Sequence, residues 1–128
     1  MLWLLVVTCF GISVTLAQLP PHFTKQPSSD ELLFKEGKSV MIDCEAYGDP
    51  LPKYRWLKDG EHFNVSENDD RMMLKPDYGT LIISRAIDED AGEYQCLIKN
   101  KHGNESSIVV ILMKAFLFSF KEDTRTVS

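Results

Sequence analysis

The sequence predicts an all-β sandwich, and three observations lead there. Turn residues recur at short intervals, and the segments between them alternate apolar and polar positions, the pattern of several short strands. Cys44 and Cys96 flank Trp56, which follows Cys44 by 12 positions, with 51 residues between the two cysteines. The run Asp90-Ala91-Gly92-Glu93-Tyr94-Gln95-Cys96 joins a tight Asp-x-Gly turn to the second cysteine. Two unrelated reduced cysteines in a core would leave Trp56, Tyr94 and that turn without a role.

The elements follow in chain order. Pro27 interrupts the first extended segment, which suits an edge strand that changes sheets, because proline cannot donate to a central ladder. Val40, Ile42 and Cys44 share one face at period two, with Met41 and Asp43 opposite. Tyr54 and Trp56 point inward on the next strand, leaving Arg55 and Leu57 outward. Little chain separates Trp56 from Leu81, so a long additional strand pair there is not expected. Asp77-Tyr78-Gly79 turns into Thr80–Ser84, where Leu81 and Ile83 enter the core. Tyr94, Cys96 and Ile98 do the same one strand later, and Lys101-His102-Gly103-Asn104 turns the chain into the last strand. There Ile108 to Met113 is apolar on both faces, so one face must meet something other than this domain's own core.

The frame of Cys44, Trp56, Tyr94 and Cys96 resembles that of immunoglobulin domains, and the compact middle implies the intermediate (I-set) type of immunoglobulin-like β-sandwich. The resemblance implies one inter-sheet disulfide, Cys44–Cys96, with Trp56 packed on it and Tyr94 as the tyrosine corner. It also implies a structural ion pair between Arg71 and Asp90 across the bottom of the sandwich. The outer face of the sheet carrying Trp56 and Cys96 is the expected contact face, with Arg55, Leu57, Gln95 and Leu97 as its residues.

The ends of the chain bound its setting. Residues 2–16 contain no Asp, Glu, Lys or Arg, and small residues at Thr15 and Ala17 precede Gln18, so residues 1–17 are expected to be a secretory signal. The segment is too short for a spanning helix and runs into Pro20-Pro21. Cys9 leaves with the signal, and an even pair remains for an oxidising, extracellular compartment. Residues 18–113 make the sandwich, while 114–128 are expected to form a linker and the opening of a second, truncated domain. The apolar stretch from Val109 to Phe120 is interrupted by Lys114, too short to span, and followed by a polar tail. The formal net charge is −5, with no run of basic residues, which argues against nucleic acid and against non-specific polyanion binding.

No catalytic chemistry is expected, nor any cofactor. His22, His62 and His102 fall on different segments without metal-ligand spacing, and Asn68-Asp69-Asp70 lacks the alternating ligands and Gly of a calcium loop, so no metal site is expected. No nucleophile–base pair is apparent: the serines lie in turns or on the last strand, and the thiols of the mature chain are needed for the bridge. Asn64-Val65-Ser66 and Asn104-Glu105-Ser106 match the acceptor triplet for N-glycosylation.

Narrower segments carry a narrower resemblance. Glu31-Leu32-Leu33-Phe34-Lys35, Cys44-Glu45-Ala46-Tyr47-Gly48-Asp49-Pro50, Tyr54–Gly60, Asp70-Arg71-Met72 and Asp88–Cys96 are similar to the N-terminal immunoglobulin domain of the neuroglian and neurofascin type of neural cell-adhesion family, and to that of hemolin. The resemblance implies an extracellular recognition module, homophilic and neural, whose partner is another copy or a related adhesion protein, with a following immunoglobulin domain in the full-length chain. The hemolin likeness implies an alternative, a soluble immune protein that binds microbial lipid or sugar. A receptor's ligand-binding domain, or the immunoglobulin part of a larger extracellular enzyme, is a third reading.

Overall fold

The computed structural model describes residues 18–65 and 70–115. The expected signal (1–17), most of the acidic turn (Asn68 and Asp69) and residues 116–128 lie outside the described residues.

Among the described residues eleven strands form two layers. In the first, β1 (Leu19–Lys25) pairs antiparallel with β4 (Glu45–Asp49), while β3 (Val40–Ile42), β8 (Leu81–Ile83) and β7 (Met72–Leu74) form a three-stranded sheet. Between β3 and β4 the side chain of Thr80 continues the ladder, its Oγ1 accepting from the Cys44 N–H at 3.0 Å. The second layer runs β2 (Glu31–Phe34), β11 (Val110–Lys114), β9 (Gly92–Asn100), β5 (Lys53–Lys58), β6 (Glu61–Phe63), with β10 (Gly103–Ser106) also on β9. The first extended segment does change sheets around Pro27: β1 serves one layer and β2 lies parallel to β11 in the other. Between β5 and β7 only the short β6 appears among the described residues, matching the compact middle.

The period-two readings hold because each strand has one wet face. Val40, Ile42, Leu81 and Ile83 from one layer meet Trp56, Tyr94, Cys96, Ile98, Val110 and Leu112 from the other, all buried. The Cys44–Cys96 disulfide crosses the core with Cα atoms 6.5 Å apart. Trp56 lies against it at 2% exposure and donates its Nε1–H to the Gly79 carbonyl at 2.8 Å, so the one polar atom of a buried indole is satisfied. Gly79 is required here by close approach, since a Cβ at that position would run into the Tyr54 ring.

The last strand departs from the expected single apolar run. It is two pieces, β10 and β11, parted at residues 107–109. There Ser107 replaces a ladder pair: its N–H donates to the Cys96 carbonyl at 2.9 Å and its Oγ accepts the Cys96 N–H at 3.0 Å. Ile108 and Val109 therefore sit outside the ladder, and Ile111 is the exposed apolar residue within it, with half-buried Met113 on the same face, while Val110 and Leu112 enter the core. The turn before β10 is only Lys101-His102, with Gly103 and Asn104 already paired to β9. Beyond 113 the pairing continues through Lys114, and the buried Ala115 donates its N–H to Phe34 O at 2.8 Å.

Candidate recognition surface

The site begins with what holds it still. A short 3₁₀ turn at Asp88–Asp90 leads into β9. Arg71, just before β7, donates to both carboxylate oxygens of Asp90, at 2.8 and 3.1 Å. The same carboxylate accepts the Ile87 N–H at 2.8 Å, and Arg71 also donates to Arg85 O at 3.1 Å. Burial alone would raise the Asp90 carboxyl, but the Arg71 hydrogen bond, the Ile87 N–H and the guanidinium charge together hold it below its ordinary value. The Tyr94 hydroxyl donates to Asp90 O at 2.7 Å, the geometry of a tyrosine corner. Burial first, and the Asp90 and Asp59 charges next, push the Tyr94 phenol upward. Phe63 meets the Tyr94 ring edge-on with centroids 6.1 Å apart. These contacts fix β9 against the opposite layer at its lower end.

On this rigid sheet the register decides which side chains become neighbours. Arg55 lies opposite Leu97 and Leu57 opposite Gln95, so the four contact residues expected from the sequence form one two-by-two patch on the outer face of β5 and β9. Arg55 is exposed and the other three are half-buried. Gln95 is partly committed within the chain, donating Nε2–H to Ser107 O at 2.9 Å. His62 borders the patch opposite Leu57, and Ser106 opposite Leu97.

Beside this patch, at the β2–β11 edge, Ile111 and Leu33 point outward, with Met113 opposite Leu33. Asn64 follows β6 and is exposed; Asn104 is exposed on β10 opposite Lys99. His22 lies on β1, edge-on to Tyr47 at 6.1 Å, while His102 in the β9–β10 turn has a buried Nε2 with no hydrogen-bond partner. Among the described residues no cluster of three or more His, Cys, Asp or Glu side chains is arranged to hold a metal. Beyond Arg55, sequence reasoning missed two outward cations: Lys53 on β5 lies directly opposite Lys99 on β9. The signal that would have found them is period two itself, since Lys53 shares a face with Arg55 and Lys99 with Leu97.

The Cys44–Cys96 bridge, the buried Trp56 and the Tyr94 corner occur together here in a two-layer sandwich, and the description of the immunoglobulin domain family matches residues 20–100. The chain belongs to that family. This immunoglobulin domain is 39% identical over 127 residues to Neuroglian of Drosophila melanogaster, across 94% of this chain and 10% of that protein. It is 37% identical over 129 residues to Contactin-5 of Gallus gallus, across 98% of this chain and 12% of that protein. The structure of the insect immune protein hemolin superposes on it with a TM-score of 0.65 at 34% identity, across 74% of this chain and 24% of the hemolin chain. The chain thus spans 10 to 12% of the length of these two curated relatives.

Proposed function

We propose that this chain is an extracellular recognition module of a neural cell-adhesion protein, binding another copy of itself or a related adhesion protein through the outer face of β5 and β9. The observation that carries the reading is the patch of Arg55, Leu57, Gln95 and Leu97, an exposed guanidinium and two half-buried leucines gathered by register on a rigid sheet. The mechanism is surface complementarity, with Cys44, Cys96, Trp56, Tyr94 and the Arg71–Asp90 pair serving the scaffold. Similarity to Neuroglian, and to Neuronal cell adhesion molecule of Mus musculus at 31% identity, supports the adhesive setting. The hemolin structure is described as having implications for homophilic adhesion, which supports contact between copies. In this reading residues 1–17 direct secretion, 18–113 fold as the module, and 114–128 lead into a following immunoglobulin domain. Asn64 and Asn104 carry N-linked glycans.

Leu57→Glu combined with Leu97→Glu should weaken self-association at least tenfold, measured by sedimentation and by aggregation of protein-coated beads, with the thermal midpoint kept. Undiminished association of a folded double variant would remove this face from the interface. Binding to bacterial lipopolysaccharide, with none between copies, would instead favour a soluble immune protein of the hemolin kind.

A further inference from the structure

We propose that the upper end of this same sheet face is a binding groove for a sulfated polysaccharide. A concavity of about 740 Å³ opens beside the β9–β10 turn, and Lys53, Arg55, Lys99 and Lys101 line it, with Leu51 and Leu97 as apolar surface between them. All four cations are exposed, and none has an ion-pair or hydrogen-bond partner among the described residues. Some cations elsewhere are matched, Arg71 to Asp90, Lys25 to Asp43, and Lys114 to Glu36 and Asp88, whereas the exposed Lys35 and Lys38 lie outside the concavity. Among the described residues Glu105 is the one carboxylate lining the concavity.

The arrangement is not a by-product of composition, because the chain carries a formal net charge of −5. Nor does folding favour it, since Lys53 directly opposite Lys99 is a like-charge cross-strand pair, which destabilises a sheet. A ligand that supplies negative charge along a line removes that repulsion. Successive outward residues on one strand lie about 7 Å apart and facing residues on adjacent strands about 5 Å apart, so the four cations cover roughly 14 Å of groove. Lysine is a flexible point charge suited to sulfate groups recurring along an extended chain. A concave path with charged walls and apolar patches fits one extended polymer. No basic run marks the site in the sequence, because Lys53 and Arg55 come from β5, Lys99 from β9 and Lys101 from the turn that follows it. Asn104 stands on the rim, so a glycan attached there would cover part of the groove.

The site does not depend on contact between copies, and the test keeps the two apart. The full chain carrying Asn104→Gln is applied to immobilised heparin at neutral pH, and its association state is measured on the same sample by sedimentation. It should stay bound at 0.15 M salt and outlast its own elution from a plain sulfonate exchanger. Lys53→Gln with Lys99→Gln should weaken heparin binding at least tenfold and lower the salt-dependence slope by roughly one per lysine, as loss of ion contacts to a polyanion requires. Lys35→Gln with Lys38→Gln, exposed cations outside the groove, should bind within twofold of the parent. Release at physiological salt, equal retention on the sulfonate resin, or undiminished binding by the Lys53/Lys99 variant would each overturn the groove. None of these results would touch the adhesive reading, which the association state and the Leu57/Leu97 double variant test separately.

Discussion

Asp90→Ala should be among the most damaging polar substitutions in the domain. Asp90 and Arg71 have side-chain exposures of 3% and 15%, so removing the carboxylate takes the bidentate counter-charge from a largely buried guanidinium. It also removes the acceptor of the Ile87 N–H at 2.8 Å. Breaking one side of a buried ion pair costs about 3–5 kcal/mol, and Arg71 keeps its bond to Arg85 O and some reach to water, which places the loss near the lower end, about 3 kcal/mol. For a domain of this size that is a fall of roughly 12–24 °C in thermal midpoint. Arg71→Met in the Asp90→Ala background should recover part of the loss, leaving a total well below the sum of the single variants. Acid supplies an independent check. The folded Asp90 carboxyl lies below its ordinary value, so its contribution is present above about pH 4, where the unfolded carboxyl is ionised. That contribution is lost as pH falls through the lower folded value. The parent should therefore lose stability between pH 4 and pH 2 more steeply than Asp90→Ala. Urea unfolding with the disulfide intact, read by tryptophan fluorescence across that range, measures both effects. A loss under 1 kcal/mol at pH 7, or single-variant effects that simply add in the double variant, would refute the reasoning.

Tyr94→Phe removes the 2.7 Å bond to Asp90 O while keeping the ring, so it should cost about 1–2 kcal/mol in urea unfolding. Because the folded Tyr94 phenol is raised, its contribution holds below about pH 10 and fades as pH climbs above it; the Phe variant should show a flatter alkaline limb, and an unchanged limb would refute this. Gly79→Ala should cost about 2–3 kcal/mol, since the added methyl meets the Tyr54 ring and the segment is pinned by Gly79 N–H to Cys44 O and by Trp56 Nε1–H to Gly79 O. A fall below 0.5 kcal/mol with an unaltered near-ultraviolet tryptophan signal would show that the ring yields freely.

The features legible in the sequence share one property: each is local or rests on a residue type with few alternatives. Period two assigned Ile42, Trp56, Leu81, Ile83, Tyr94 and Ile98 to the core because a strand has only two faces. Cys44, Trp56, Tyr94 and Cys96 stood out because their chemistry is rarely interchangeable. The break in the last strand was not legible, since Ile108 and Val109 read as strand and only the hydrogen bonds of Ser107 to Cys96 part them from β11. Gly79 looked like an ordinary turn residue; the Tyr54 ring that crowds it lies 25 positions away.

The same division governs the surface. The sequence by itself determined the sandwich, its brace and the outward direction of Arg55, Leu57 and Leu97, because side-chain direction along a strand is a local property. Tertiary structure alone decided who faces whom. Register set Arg55 beside Leu97 and Leu57 beside Gln95, and it brought Lys53 against Lys99 in a chain whose net charge is acidic. Charge along a sequence sums to a number, whereas a binding surface depends on distances that only pairing between remote strands creates.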